Sequence, residues 1–155
     1  MDDEAFARAI VALTDTLYRV SSSQLRQRAD QEDAVQECLR RAWEKRRTLR
    51  EERYLKTWLI RILINECHRI QGRMKRVAPQ DEVPLVSRDH PSYLRDAFVS
   101  VPEKYRMPML LHYVEGMSVA ETAQALHIPQ GTVKSRLARG RKALGEILNE
   151  EVLET

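Results

Sequence analysis

Glycine is scarce in this chain, with five in 155 residues, and none of them sits in a phosphate-cradling loop. That excludes the usual glycine-rich seat for a nucleotide. β-Branched runs of period two are missing, so a sheet is not expected. No apolar run reaches the ~20 residues that a membrane-spanning helix needs. The first ten residues, MDDEAFARAI, begin acidic, which does not suit a secretory signal peptide. There are two cysteines, Cys38 and Cys67, both on apolar helical stripes. Buried, reduced thiols in a cytoplasmic protein are expected of them. His68 adjoins Cys67, a poor ligand spacing on a helix, and the other histidines are scattered, so no metal is expected. No carboxylate pair stands beside a base and no nucleophile constellation is present. The chain is therefore expected to be no enzyme, with no catalytic residues, no cofactor and no small-molecule substrate.

What is present is charge and helical periodicity. Lys and Arg number 26 against 23 Asp and Glu, a net charge of +3. That is too modest for an indiscriminate polycation, and a localised basic surface is the better expectation. Almost every long segment repeats with a period of 3.6, so the fold class is all-α. A first helical stretch, Glu4 to about Ala29, carries Phe6, Ile10, Leu13, Leu17, Val20 and Leu25, with Ser21 to Ser23 as a candidate bend. Asp30 is placed to cap the next helix, whose stripe is Val35, Cys38, Leu39, Ala42 and Trp43. Its opposite side carries Asp33, Gln36, Glu37, Arg40 and Arg41. A third helix aligns Leu55, Trp58, Leu59, Ile62, Leu63 and Cys67, with Lys56, Arg61, Asn65 and Arg69 elsewhere on it. Trp43 and Trp58 lie on apolar stripes and are expected in the core, while Tyr54 is the better exposed aromatic. The segment Gly72 to Ser92 has three prolines and no helical period, and reads as a flexible linker. Two small helical domains are thus expected, 1–72 and 93–155, joined by residues 73–92. Pro102 is expected to open a helix through about Glu115, with Tyr105, Met109, Leu110 and Tyr113 on its apolar side. Pro108 should kink that helix or shift its start, and Gly116 ends it.

The segment MSVAETAQALHIPQGTVKSRLARGRK, Met117 to Lys142, is the most informative. Ser118-x-x-Glu121 has capping-box spacing. Val119, Thr122, Ala123 and Leu126 then form one stripe. Leu126 to Pro129 breaks the helix, and Pro129 suits the first turn of the next. In that helix Val133, Leu137 and Leu144 face inward, and Gly140 permits close approach. From Gly131 to Lys142 there are five Lys or Arg and no acid. Two helices with one apolar and one basic face are what a helix-turn-helix needs to enter the major groove of DNA.

With these blocks in order, the chain resembles the extracytoplasmic-function (ECF) sigma factors of bacterial RNA polymerase. DAVQECLRRAW (Asp33 to Trp43) resembles the region 2 helix that binds core polymerase, and LKTWLIRILINECHRI (Leu55 to Ile70) the helix used on the −10 element. The stretch from Val101 to Leu144 resembles region 4. Three positions depart from the family: Leu49-Arg50-Glu51 where Phe-Arg-Gly is frequent, Val101 in place of leucine, and His127 at a turn position that often holds glycine.

The resemblance implies promoter DNA and core polymerase as partners, the latter through the clamp coiled coil of the largest subunit and the flap. Thr132, Lys134, Ser135, Arg136, Ala138, Arg139 and Lys142 would meet the −35 element. Ser135 and Ala138 are small enough to let the helix sit deep, and Arg136 and Arg141 lie at its flanks. Tyr54, Arg61 and Asn65 would meet the −10 element, Asn65 by reading a base edge. Asp33, Gln36, Glu37 and Arg40 would dock core polymerase. Asp81 and Glu82 in the linker would lie near the RNA exit path. Many members are held by an anti-sigma factor, often membrane-anchored, and such a partner is expected here. The alternative is a stand-alone helix-turn-helix repressor or activator, which would bind a duplex operator tightly without polymerase.

Overall fold

A computed structural model of the chain describes residues 1–74 and 92–154, with side chains over 1–73 and 96–149. The described residues are helical and contain no strand. They belong to two compact units, Met1–Pro84 and Leu85–Thr155. None of the described helices is long and apolar enough to cross a membrane. The expected linker lies almost wholly outside the described residues, Asp81 and Glu82 included.

The first unit holds helices α1 (Asp3–Ala12), α2 (Thr14–Gln24), α3 (Arg28–Glu44) and α4 (Leu55–Met74). Asp2 starts α1 by accepting the Ala5 N–H at 2.7 Å. The expected single stretch to Ala29 is two helices, and the break falls at Leu13 rather than at the serines. The hydroxyls of Ser21, Ser22 and Ser23 donate to the carbonyls three residues back, so the serines are satisfied inside α2. Asp30 does not cap α3. Gln27 holds the extended N-cap position, and Asp30 sits in the first turn, where its charge complements the helix dipole.

α3 packs on α4, and α2 packs on both. Leu17, Val20, Leu25, Val35, Leu59, Ile60 and Leu63 are all buried between them. Each such aliphatic side chain contributes about 1.5–3 kcal/mol. The buried face of α4 is wider than its periodicity suggested, taking in Ile60, Ile64 and Ile70, while Trp58 and Ile62 are half-buried. Cys38 and Cys67 are buried and unbridged. Burial first, then Cys67 and Glu66, pushes the Cys38 thiol far above its ordinary range, so it stays an S–H. Glu66 is also buried, and Arg41 and Arg69 each pair with it at 2.8 Å. Trp43 corrects the expectation of a core residue: it is 39% exposed. It leans on Phe6 with centroids 6.2 Å apart, and the Arg46 guanidinium lies 4.0 Å above the indole.

The second unit holds α5 (Ser92–Val99), α6 (Glu103–Met109), α7 (Val119–Leu126) and α8 (Gln130–Glu154). Pro102 is the N-cap of α6, one position earlier than a first-turn residue. Pro108 lies inside α6 and has no N–H to give its ladder. The backbone widens just beyond it into a π-helical turn, Leu110–Val114, where the Glu115 N–H donates to the Leu110 carbonyl at 3.0 Å. Gly116, at φ 71°, ends this turn. Val101, Met109, Ala123, Val133 and Leu137 form the core, with Phe98, Tyr105, Ile128, Leu144 and Ile147 packed around it. Tyr113 corrects its expected apolar place, standing half exposed on the widened turn. On α7 the burial centres on Thr122, Ala123 and Ala125, and Val119 and Leu126 are only half-buried.

Candidate nucleic-acid interface

The helix-turn-helix is built by three local devices. At the start of α7, Ser118 Oγ accepts the Glu121 N–H at 3.0 Å and Glu121 Oε1 accepts the Ser118 N–H at 3.1 Å, a complete capping box. At its end His127 takes the left-handed conformation, φ 57° and ψ 44°. The N–H of Ile128 donates to the Ala123 carbonyl and that of His127 to Gln124, the pattern that usually closes on glycine. Pro129 then serves α8 as N-cap rather than first helical residue: its carbonyl accepts the N–H groups of Thr132 and Val133.

α8 presents its faces as its sequence demands. Val133, Leu137 and Gly140 are buried. A Cβ on Gly140 would clash with Met109 Sδ and lie 3.2 Å from Tyr105 Cβ, so the missing side chain is what lets α6 approach α8. Lys134, Ser135, Ala138, Arg139 and Lys142 are exposed, and Thr132 and Arg136 are half-buried. Among the described residues Arg141 makes no ion pair: on one flank of α8 it donates to the Tyr113 hydroxyl.

On the other flank, Lys104 and Tyr105 of α6 join Gly131, Thr132, Ser135, Arg136 and Arg139 around an open cavity of about 360 Å³. The Arg139 guanidinium first, then the Lys104 ammonium, draws the Tyr105 hydroxyl below its ordinary pKa. The Lys104 ammonium sits 4.9 Å from the Tyr105 ring centroid. Periodicity placed Tyr105 on the apolar side and missed its polar end. Its partner is 34 residues away in sequence, and no local pattern carries that pairing.

In the first unit, Arg61 and Asn65 are exposed on α4, and Trp58 is half-buried one turn earlier. Trp58 packs edge-on against Phe6, with centroids 6.1 Å apart. His68, also exposed, continues the same stripe at i+3 from Asn65. Tyr54 is 44% exposed in a 3₁₀ turn, Glu52–Tyr54, with the Arg53 guanidinium 4.8 Å from its ring centroid.

On α3, Asp33, Gln36 and Arg40 are exposed and Glu37 is half-buried. Arg40 donates to Glu37 at 2.6 Å and also pairs with Glu44. Arg41 donates to Glu37 at 3.1 Å and reaches back to Glu66. The Arg40 guanidinium, with help from Arg41, draws the Glu37 carboxyl down to about 2.

Known proteins match this arrangement across both units. The family described as "Sigma-70 region 2" matches residues 5–76, and "Sigma-70, region 4" matches residues 92–144. The ECF sigma factor SigM of Mycobacterium tuberculosis is 30% identical, over 85% of this chain and 71% of its own length. SigW of Bacillus subtilis, also an ECF sigma factor, is 29% identical over 96% of this chain and 91% of its own. Among solved structures, the sigma factor RpoE of Bartonella quintana, crystallised with the anti-sigma factor NepR, superposes with a TM-score of 0.82. It is 25% identical and covers 94% of this chain and 98% of that one.

Proposed function

We infer the function from ancestry: this chain belongs to the ECF sigma factors of RNA polymerase. It is a transcription initiation factor with a DNA-binding helix-turn-helix. Such a factor joins core polymerase, selects a promoter by its −35 and −10 elements and promotes strand opening.

The residue roles are our proposal. α8 lies in the major groove of the −35 element. Ser135 and Ala138 let it sit deep, Lys134 and Arg139 reach base edges, and Thr132, Arg136 and Lys142 hold the backbone. The single observation that supports this best is the outer strip of α8, free of acid from Gly131 to Lys142 and small at its centre. Tyr54, Arg61 and Asn65 meet the melted −10 strand, and Asp33, Gln36, Glu37 and Arg40 form the docking face for the polymerase clamp. We assign 1–72 to core polymerase and the −10 element, 93–155 to the −35 element, and 73–92 to the tether between them. RpoE of B. quintana is bound by NepR, and an anti-sigma factor is likewise proposed for this chain. We place the chain in the cytoplasm, where such a partner, soluble or membrane-anchored, can withhold it from polymerase.

Gel-shift titration on promoter duplex tests this division of labour. The chain alone should bind weakly, and core polymerase should make binding tight and sequence-specific. Tight, specific binding without core would instead support a stand-alone repressor.

A further inference from the structure

The cavity between α6 and α8 has a chemistry of its own. Its walls carry three cations, Lys104, Arg136 and Arg139, and three hydroxyls, Tyr105, Thr132 and Ser135, and no carboxylate lines it. It opens at the first turns of a 25-residue helix, where the helix dipole favours an anion. Thr132 and Val133 spend their N–H groups on the Pro129 carbonyl, and the side chains of the cavity wall supply further donors. The cavity borders Ser135, at the centre of the exposed strip of α8. A helix lying in a major groove has a phosphate backbone along each flank, and contacts to that backbone set its register.

We infer that this cavity seats one backbone phosphate of the −35 duplex, with the Lys104 ammonium neutralising it and the Tyr105 hydroxyl and the flanks of Arg136 and Arg139 forming the walls of the seat. The proposal rests on α8 being the −35 helix and adds α6 to the contact surface. Lys104 is exposed at the rim and meets the phosphate as a point charge. Tyr105 is half-buried against the core, which fixes its ring in the cavity wall. Gly140 makes the arrangement possible, because α6 could not come this close over a side chain there.

The test uses holoenzyme, meaning core polymerase with this chain, on a promoter duplex. Affinity is measured against salt for wild type, Lys104→Ala and Tyr105→Phe. Each neutralised phosphate adds about −0.9 to the slope of log K on log salt. Lys104→Ala should make the slope shallower by about 0.9 and weaken binding by a similar factor on every −35 sequence. Tyr105→Phe keeps the ring and every charge, and should leave the slope unchanged. A scan of single neutral methylphosphonates along the −35 backbone then locates the contact. One position should weaken wild type and have no effect on Lys104→Ala. An unchanged slope in Lys104→Ala, or a scan in which both proteins lose affinity at the same positions, overturns the phosphate seat while leaving α8 as the −35 helix. If wild type shows no preference among −35 sequences, the assignment of α8 fails and the seat falls with it.

Discussion

Glu37 and Cys38 are neighbours on α3 whose protons are driven apart by their surroundings. The thiol looks into the core and cannot ionise, whereas the carboxyl is gripped by Arg40 and Arg41 and ionises far below its usual value of 4.5. A carboxyl depressed in the folded state stabilises fully above its unfolded pKa and loses that effect as the pH falls through its folded one. Glu37 should therefore be indifferent to pH above about 5 and protonate only near 2. A carboxyl-carbon NMR titration of the folded chain checks this, and a midpoint of 4 or higher would show that the arginine grip is absent in solution. Asn65 is governed by exposure instead. It contributes nothing to the core, so Asn65→Ala should leave thermal stability and core binding nearly unchanged. On duplex promoters it should slow open-complex formation by about fivefold, the equivalent of one polar contact worth ~1 kcal/mol. On a template with a pre-melted bubble the deficit should shrink, because unpairing has already been done. Equal deficits on both templates, read by permanganate footprinting, would remove Asn65 from strand opening.

Within α8, two glycines separate local propensity from packing. Gly145 is exposed, and a Cβ there would meet nothing within 4 Å, so Gly145→Ala should stabilise the second unit by about 0.5–1 kcal/mol through helix propensity alone. At Gly140 the same propensity gain is opposed by a clash with Met109 and close contact with Tyr105. Overpacking of this kind costs about 1–3 kcal/mol, so the net effect should be destabilising. Chemical denaturation of the two variants should give opposite signs, and stabilisation by both would mean that α6 does not lie where it is described. The capping box at Ser118, the turn at His127 and the inward face of α8 were legible in the sequence because each is fixed by residues within a few positions of one another. The break at Leu13 was not, since no proline or glycine marks it and the three serines gave a stronger but misleading signal. Nor was the π-helical turn: Pro108 announced a disturbance but not its form. Trp43 and Tyr113 were misplaced because periodicity reports a stripe, whereas their polar neighbours Arg46 and Arg141 hold them at its margin.

For the molecule as a whole, two compact units and a net charge of only +3 describe a protein unsuited to coating DNA by charge alone. The stretch of α8 from Gly131 to Lys142 carries five Lys or Arg and no acid, and Lys104 joins two of them at the α6–α8 cavity, while α3 presents a ladder of arginines paired with glutamates. The order of these faces along the chain was readable in the sequence, since each is a stripe on one helix. The α6–α8 cavity was not, because it joins positions about thirty residues apart. Specific initiation has to come from the partnership with polymerase. The direct measurement is in vitro transcription by purified core polymerase on fragmented genomic DNA from the same bacterium, with and without this chain, followed by mapping of start sites. A set of starts that appears only with the chain, each preceded by shared −35 and −10 elements at constant spacing, is the predicted result. A start-site map unchanged by the chain would contradict it.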